Sequence, residues 1–427
     1  METIVEKPLK ILLVSHYFLP RHVAGTEVYT YRLGKALRER GHEVHVLAGE
    51  DNPGFRKPGT WGEEVWGLPV TFMTSGRRSW WEQFKQSWKD GQRPNLEPLF
   101  EQVLDNFRPD IIHIQHLATL SASFIYFAKK RGIPVVVMLN DYWFLCQRIQ
   151  LVTSDGYRCS GFEANRCTKC LLTPYPFPMN WLGKSLVKKA SEKRFQVLGE
   201  ALREADLIIA PSLYLKQVYE NHGFEGRKII HCDYGFPLPD KVEPLTPGKP
   251  LKVGFIGSLV PHKGVHVLIE AINQLEGKAH LTIYGATNSN PKYFTCLKSM
   301  NLEHVTMAGV SDPQHPYPAI SEQDVIVVPS LWEENSPLVI HEAQAVGRPV
   351  VAFAVGGIPE LIRDGVDGIL VPPDDVTALA DVLNNLAVHP ERLVEISQNA
   401  KPPKSIEYHA KEIEDLYLSV LPSSKIS

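Results

Sequence analysis

The segment Val325–Val351 reads VIVVPSLWEENSPLVIHEAQAVGRPVV and contains one complete unit of a pattern that recurs along the chain. It begins with four β-branched residues, which is typical of a buried strand. A helix is expected next, with Pro337 in its first turn, Asn335 or Ser336 as its cap and Gly347 at its end. A second β-branched run follows. A strand, a helix and another strand in this order predict a parallel sheet covered by helices.

The same alternation occurs on both sides of a proline-rich stretch, residues 236–250. Near the start of the chain, the apolar run Lys10–Ser15 precedes a helix expected from about Thr26 to Arg40, which Gly41 ends. Proline at this density disfavours regular structure and indicates a linker. The predicted strands are 10–15, 42–49, 110–116, 134–140 and 207–212 before the linker and 251–257, 280–285, 305–310, 324–330, 350–355 and 368–371 after it.

Two doubly wound, Rossmann-like α/β domains that face a cleft are therefore predicted. Their expected bounds are 1–236, completed by a C-terminal helix over 405–422, and 237–404. Ligands of open α/β sheets bind beyond the carboxyl ends of the strands. The loops that follow the strands are therefore where functional residues are expected.

Composition and charge exclude several classes of protein. The 427 residues are 44% hydrophobic and 22% charged, as in ordinary globular proteins, and carry a formal net charge of −3. A near-neutral chain is not typical of a nucleic-acid binder, so no nucleic-acid partner is expected. No run approaches the roughly 18–20 apolar residues that cross a bilayer. The run Ile11–Val14 is too short for a signal peptide, so we expect a cytoplasmic protein.

Two glutamates in the opening segment are candidates for ligand binding. Glu334 lies in the loop before the expected helix, where backbone N–H groups point towards a ligand. Glu342 lies within the helix, where its carboxylate could accept two ribose hydroxyls. Acidic residues near the start of a helix are also favoured by its dipole alone. The spacing by itself leaves both interpretations open.

Within its strand, helix and Gly-Arg-Pro end, the sequence ENSPLVIHE resembles the E-x7-E motif of family 4 retaining glycosyltransferases, which have the GT-B fold. The resemblance extends over nearly the whole chain. It implies that Glu334 contacts the donor sugar and that Glu342 holds the nucleotide ribose. The residues expected beside them in the donor site are Asn335, Ser336, Pro337 and Leu338.

Two further segments resemble donor-binding loops of this family. VGFIGSLVPHKGVHV places Gly257 at the end of a strand, Ser258 where the family usually has arginine, and Lys263 where a lysine binds the diphosphate. VGGIPELI resembles the family's G-G-x-P-E segment and implicates Gly356 and Gly357 in donor binding. A surface lysine and a tight turn are the alternatives for these residues.

The first half resembles the same family at fewer positions. Gly25 and Thr26 precede a helix, where their amides could face a phosphate or a sugar hydroxyl, although Ala24 replaces the family's first glycine. His116 is expected to contact the sugar, with His113 and Gln115 as alternatives on the same strand. An acceptor-contacting aspartate, Asp141, follows the next strand, where a turn-forming role would also explain it.

These resemblances imply transfer of a sugar from a UDP- or GDP-sugar to a sugar, glycan or lipid-linked acceptor, with retention of anomeric configuration. His116, Glu334 and Lys263 are the expected catalytic contacts. No cofactor is expected to be required for catalysis, since the sequence has no Asp-x-Asp metal motif. A nucleotide-sugar epimerase of the same fold is the alternative enzyme, and a two-domain sugar-binding protein is the non-enzymatic one.

Four of the six cysteines are clustered as C-x12-C-x7-C-x2-C in a segment rich in loop-forming residues. They are Cys146, Cys159, Cys167 and Cys170. Four thiolates with one C-x2-C pair can form a tetrahedral structural zinc site. Free thiols are the main alternative, and disulfides are less expected in a reducing compartment.

A basic amphipathic segment over residues 181–195 combines Trp181 with several lysines. Such a helix could touch anionic lipid or a lipid-linked acceptor at the inner face of the membrane. A solvated helix packed on the domain is the alternative.

Overall fold

The computed structural model describes residues 7–51, 54–76, 91–173, 183–224, 226 and 228–422. The chain divides into two compact units. The first is Met1–Asp233 together with Ile406–Ser427, and the second is Tyr234–Ser405. The tryptophan at position 181 and its neighbour Leu182 lie outside the described residues.

The first unit contains an eight-stranded sheet. Its strands are β1 Lys10–Ser15, β2 Glu43–Gly49, β3 Gly59–Val65, β4 Leu68–Thr74, β5 Ile111–Ile114, β6 Val135–Met138, β7 Leu207–Ala210 and β8 Ile229–His231. Their order in the sheet is β3-β4-β2-β1-β5-β6-β7-β8. All neighbouring strands are parallel except β3 and β4. Its helices before the second unit are α1 Gly25–Glu39, α2 Glu97–Phe107, α3 Ser123–Lys130, α4 Ala164–Leu172, α5 Lys184–Arg203 and α6 Leu213–Asn221.

The second unit contains a six-stranded, wholly parallel sheet. Its strands are β9 Leu251–Ile256, β10 Ala279–Tyr284, β11 Val305–Gly309, β12 Val325–Val328, β13 Val350–Phe353 and β14 Ile369–Val371, in the order β11-β10-β9-β12-β13-β14. Its helices are α7 Val265–Asn273, α8 Pro291–Lys298, α9 Tyr317–Ser321, α10 Leu338–Ala345, α11 Ile358–Leu361, α12 Val376–Val388 and α13 Pro390–Asn399. The last helix, α14 Ile406–Val420, belongs to the first unit.

The apolar runs of the sequence became the interior strands, which confirms the predicted doubly wound α/β architecture. In β1, five of the six residues are buried, and in β12 all four are. Strands covered on both faces need such continuous apolar runs. Most predicted strands are one to a few residues too long, because their last residues already belong to the loops beyond the sheet edge.

The sequence analysis did not predict three of the strands, β3, β4 and β8. The β3–β4 hairpin shows why. β3 is an edge strand that is exposed along most of its length, so it lacks an apolar pattern. The turn between the two strands has positive φ at both central residues, 48° at Trp66 and 85° at Gly67. Two central residues with positive φ match the hairpin twist. The only sequence signal for this hairpin was therefore the glycine of its turn, Gly67, because hydrophobic periodicity is missing from β3.

The order of each sheet reverses direction at one central strand. In the first unit β1 pairs with both β2 and β5, and in the second β9 pairs with both β10 and β12. The crevice at such a switch point, beyond the carboxyl ends of the strands, is the usual ligand site of an open α/β sheet. The loops after β1, β5, β9 and β12 therefore flank the two crevices.

Helix α14 is held to the first unit by buried polar contacts. Tyr417 Oη lies 2.7 Å from His113 Nδ1, and Tyr29 Oη lies 2.9 Å from His409 Nε2. Tyr417 and His113 are fully buried. Burial, followed by the charge of His409, lowers the pKa of His113 to about 3, so the imidazole is neutral in the fold. A neutral ring bonded to a buried hydroxyl is part of the core.

We predict that Tyr417→Phe lowers the free energy of unfolding of the first unit. The change leaves the His113 nitrogen buried without its partner, which costs about 1–3 kcal/mol. Chemical denaturation of the full chain measures this cost. Tyr408→Phe is the control, because Tyr408 is on the same helix and 59% exposed. Equal stability of the Tyr417 and Tyr408 variants would contradict the role given to the buried hydroxyl.

Candidate functional site

A buried ion pair lies at the switch point of the second unit. Lys263 ends a short 3-10 turn, Pro261–Lys263, beyond β9, and its Nζ lies 2.6 Å from Glu334 Oε1 in the loop after β12. Ser330 Oγ donates to the same oxygen at 2.6 Å. The Glu334 side chain is 5% exposed and that of Lys263 is 25% exposed. The ammonium is thus anchored on its inner side and accessible on the other.

The surroundings of this pair favour its ionised form. Burial alone raises the pKa of Glu334, but the Lys263 charge and the hydrogen bonds from Lys263, Ser330 and Trp332 outweigh it, and the pKa is lowered overall. Burial, followed by the charge of Lys263, lowers the pKa of the neighbouring His262 to about 4. His262 is therefore neutral near pH 7. Lys263 Nζ also lies 5.3 Å from the centre of the Trp332 ring, within cation–π range.

Two glycines let the loop after β13 approach the Glu334 loop. Gly357 N–H donates to the Glu334 carbonyl at 2.8 Å, and Gly356 N–H donates to Glu333 Oε2 at 2.8 Å. Gly356 has a φ of +56°, and a Cβ built on it would lie 2.0 Å from the Glu334 carbonyl oxygen. Only glycine fits there. The predicted donor residues Lys263, Glu334, Gly356 and Gly357 are thus brought together.

The structure corrects the expected cap of α10. The helix begins at Leu338 and Pro337 is at its N-cap position, so neither Asn335 nor Ser336 is the N-cap residue. The Ser336 hydroxyl instead lies 2.8 Å from His341 Nε2. Asn335, Ser336 and the predicted ribose ligand Glu342 are all buried. Glu342 is in the second turn of α10, as the sequence predicted.

The loop after β9 starts at the other predicted donor residues. Gly257 N–H donates to the Tyr284 carbonyl at 3.0 Å, which ties the strand end to β10. A Cβ on Gly285 would lie 2.4 Å from the Gly257 carbonyl, so the two backbones pass close together. Ser258 follows at the switch point and is half-buried.

In the first unit, His116 is fixed by hydrogen bonds at both ring nitrogens. Ala118 N–H donates to His116 Nδ1 at 3.1 Å, so that nitrogen is unprotonated. His116 Nε2 then carries the hydrogen and donates to Asp141 Oδ2 at 3.0 Å. The other oxygen, Asp141 Oδ1, accepts from Trp143 N–H at 2.8 Å. Asp141 therefore both shapes the turn after β6 and orients His116.

Two residues of this cluster were not among the predicted site residues. The His16 ring centre lies 4.2 Å from that of His116, and His16 Nε2 lies 3.5 Å from Glu27 Oε1. Burial, followed by the charges of His116 and His22, lowers the pKa of His16, while burial raises that of Glu27. Among the described residues, His16 Nδ1 and Glu27 Oε2 have no hydrogen-bond partner.

The signal that would have found them is positional. His16 directly follows β1, and Glu27 is the third residue of α1. Both elements flank the switch point of the first unit. Gly25, the predicted phosphate or hydroxyl contact, is the exposed first residue of α1, and no side chain caps that helix.

The two alternatives to His116 make different contacts. His113 faces Tyr417 in the interior of the first unit. Gln115 is buried, and its backbone carbonyl accepts from Asn140 Nδ2 at 2.8 Å. Of the three candidates on this strand and its end, His116 is the one that contacts Asp141.

The remaining predicted features lie in the insertion after β6. The four clustered cysteines are half-buried and surround one small cavity. The basic segment forms the start of α5, where Leu186 is 73% exposed, so contact with lipid stays a prediction. In the described part of the chain, no helix is long and apolar enough to span a membrane.

Two family models match the two halves of the chain. The model described as "Glycosyltransferase Family 4" matches residues 23–232, and the one described as "Glycosyl transferases group 1" matches residues 250–389. The "42.6 kDa protein in cps region" of Klebsiella pneumoniae is 24% identical over 83% of this chain and 88% of that protein. The putative colanic acid biosynthesis glycosyltransferase WcaL of Salmonella typhimurium is 35% identical over 32% of this chain and 36% of that protein.

Solved structures share the fold over almost the whole chain. Anabaena HepE in complex with UDP has a TM-score of 0.67 at 19% identity, covering 96% of this chain and 100% of that chain. Sucrose-phosphate synthase from Thermosynechococcus elongatus has a TM-score of 0.69 at 18% identity, covering 96% and 99%. The fold is that of the GT-B class. With both halves matched, the chain belongs to the family 4 glycosyltransferases.

We predict that Gly356→Ala destabilises the second unit more than Gly365→Ala does. Both glycines have positive φ, which costs other residues about 1–2 kcal/mol. Only Gly356 also has a backbone atom within contact distance of the added Cβ, since the nearest atom to that of Gly365 is Arg392 Nη2 at 3.7 Å. Thermal unfolding of the two variants measures the difference. Equal losses would show that the close approach to Glu334 is not a constraint.

Proposed function

We propose that this glycosyltransferase moves a sugar from a nucleoside-diphosphate sugar to an acceptor hydroxyl, with retention of anomeric configuration and without a catalytic metal ion. The observation that carries the proposal is the Lys263 ammonium, held 2.6 Å from Glu334 at the switch point of the second unit. A fixed cation beyond the strand ends is suited to a diphosphate.

The donor is assigned to the second unit. Lys263, with the backbone around Gly257 and Ser258, would bind the diphosphate. Glu342 would accept the ribose hydroxyls, since carboxylates form strong charge-assisted hydrogen bonds. The donor sugar would lie against Glu334 and the loop of Gly356 and Gly357. A uridine nucleotide is favoured over a guanosine one because HepE, which shares the fold, binds UDP.

Charge stabilisation would drive departure of the nucleotide. As the bond between the anomeric carbon and the phosphate oxygen breaks, negative charge grows on the diphosphate, and a preorganised cation lowers the energy of that state. Ser258 supplies no charge where the family usually has arginine, so Lys263 has the larger share. Glu334 acts here by positioning Lys263 as well as by contacting the sugar.

Retention would follow from attack on the face that the diphosphate leaves. The acceptor oxygen forms the new bond to the anomeric carbon, and the departing phosphate oxygen takes the acceptor proton. Because the phosphate oxygen takes the proton, the transfer needs no side chain as a general base. The pKa of Glu334 is lowered, which agrees with a carboxylate that stays ionised and does not relay a proton.

The acceptor is assigned to the first unit. His116, oriented by Asp141, and the buried pair His16 and Glu27 present nitrogen and oxygen atoms suited to hydroxyl groups. A sugar, glycan or lipid-linked sugar would supply such hydroxyls. Relatives named for colanic acid and amylovoran biosynthesis favour a growing polysaccharide.

We predict that Lys263→Ala weakens the binding of UDP and of UDP-sugar equally, by about tenfold or more. A tenfold loss corresponds to about 1.4 kcal/mol of binding free energy. Glu342→Ala should weaken the binding of both ligands by a comparable factor, because each of the two variants lacks one charged side chain that contacts the nucleotide. Titration calorimetry measures the two dissociation constants. The controls are Lys298→Ala and Glu270→Ala, exposed residues of α8 and α7 in the same unit. Unchanged affinity for UDP in the Lys263 variant would overturn the diphosphate assignment.

We predict that a screen of UDP- and GDP-sugars against hydroxyl acceptors gives acceptor-dependent release of the nucleotide. The product should keep the anomeric configuration of the donor, as read by proton NMR coupling constants. After passage of all components through a chelating resin, added Mg²⁺ or Mn²⁺ should leave the rate unchanged. A new sugar epimer formed without acceptor would identify an epimerase instead. An inverted product, or a rate that requires the added cation, would refute those parts of the proposal.

A further inference from the structure

The four clustered cysteines of the first unit line one cavity of about 30 Å³. Cys146, Cys159, Cys167 and Cys170 are all half-buried, and none forms a disulfide. A cavity of this size has room for an object of about the size of a water molecule. It therefore suits a single metal ion better than a multi-iron cluster.

Local structure explains how distant cysteines reach the same cavity. Cys167 and Cys170 are three residues apart on α4, so they lie on one face of that helix. Glu163 fixes the start of the helix by accepting N–H bonds from its first residues. Cys159 follows the isolated bridge between Val152 and Arg158, and its N–H donates to the Leu151 carbonyl at 2.7 Å.

A hydrogen-bond donor and positive charge lie next to the sulfur atoms. Ser154 N–H donates to Cys170 Sγ at 3.3 Å. The side chains of Arg148 and Arg166 line the same cavity. Positive charge next to four thiolates offsets the negative charge of a tetrathiolate metal centre.

The segment has few apolar contacts of its own to hold these groups in place. Leu151 and Leu172 are buried, and Phe162 stacks on Phe195 of α5 at 4.2 Å between ring centres. Most of the remaining residues between the cysteines are polar and exposed or half-buried. A small segment without a sufficient core commonly folds around a metal ion or a disulfide.

We propose that Cys146, Cys159, Cys167 and Cys170 bind one structural zinc ion. Zinc prefers four tetrahedral sulfur ligands at about 2.3 Å in closed structural sites. Among the described residues, Cys232, His409 and Glu412 place three possible ligand atoms within 4.8 Å of one another. The sulfur atoms of the four clustered cysteines are more widely spaced than this. Zinc would draw them inwards and join α4 to the turn after β6.

Metal analysis of the full-length protein, purified without added metal or chelator, tests the site. We expect about one zinc per chain, as a four-ligand site requires. Cys170→Ser and Cys146→Ser should lose most of it, whereas Cys296→Ser, an exposed cysteine of the second unit, should keep it. Cobalt exchanged into the wild-type protein should give the strong visible bands of tetrahedral cobalt thiolate, a readout that does not depend on any variant folding.

Three results would overturn the proposal. The first is a folded wild-type chain with no bound metal and four free thiols. The second is a disulfide among these cysteines, detected by mass spectrometry of the non-reduced protein under anaerobic purification. The third is iron with acid-labile sulfide in place of zinc. All three are independent of whether the chain transfers sugars.

Discussion

The pairing of β9 with both β10 and β12 determines where the chemistry of the second unit can occur. Parallel neighbours bring three strand ends to one edge, and the loops beyond them must pass each other at backbone distance. A Cβ on Gly264 would lie 1.8 Å from the Pro329 carbonyl, and one on Gly285 2.4 Å from the Gly257 carbonyl. Side chains are excluded at these crossings. The space saved lets Lys263 reach Glu334.

The Lys263–Glu334 pair is better understood as a positioning device than as a source of stability. Desolvation opposes the charge of the buried Glu334 carboxylate, and the Lys263 charge outweighs it together with the hydrogen bonds from Lys263, Ser330 and Trp332. Ser330 and the Gly357 amide hold the glutamate by its side chain and its backbone. The apolar runs of the buried sheet beneath this network supply the folding free energy that offsets the cost of assembling it.

The sequence was informative where a physical rule acts locally. Buried parallel strands need continuous apolar runs, so the interior strands could be predicted. Lys263 and Glu334 were identified by the family resemblance of the loops that contain them. Contacts between residues that are far apart in the sequence could not be predicted. His113 and His116 could not be distinguished, because the partner that draws His113 into the core is Tyr417, 304 residues away. The predicted cap of α10 was wrong, because Pro337 is at the N-cap position, and the Ser336 hydroxyl lies near His341 Nε2 instead.

The two switch points also differ in charge, and this difference bears on the proposed assignment of donor and acceptor. The second unit presents an ammonium that is paired on one side only, which suits an anionic diphosphate. In the first unit, the Ala118 amide donates to His116 Nδ1, and burial lowers the pKa of His16. Burial raises the pKa of Glu27, so that carboxyl gives up its proton less readily than usual. A histidine of lowered pKa and a carboxyl of raised pKa favour hydroxyl groups over phosphates, because hydroxyls can donate and accept without bringing charge into a buried site. The difference therefore agrees with the proposal that the nucleotide binds at the second unit and a hydroxyl acceptor at the first.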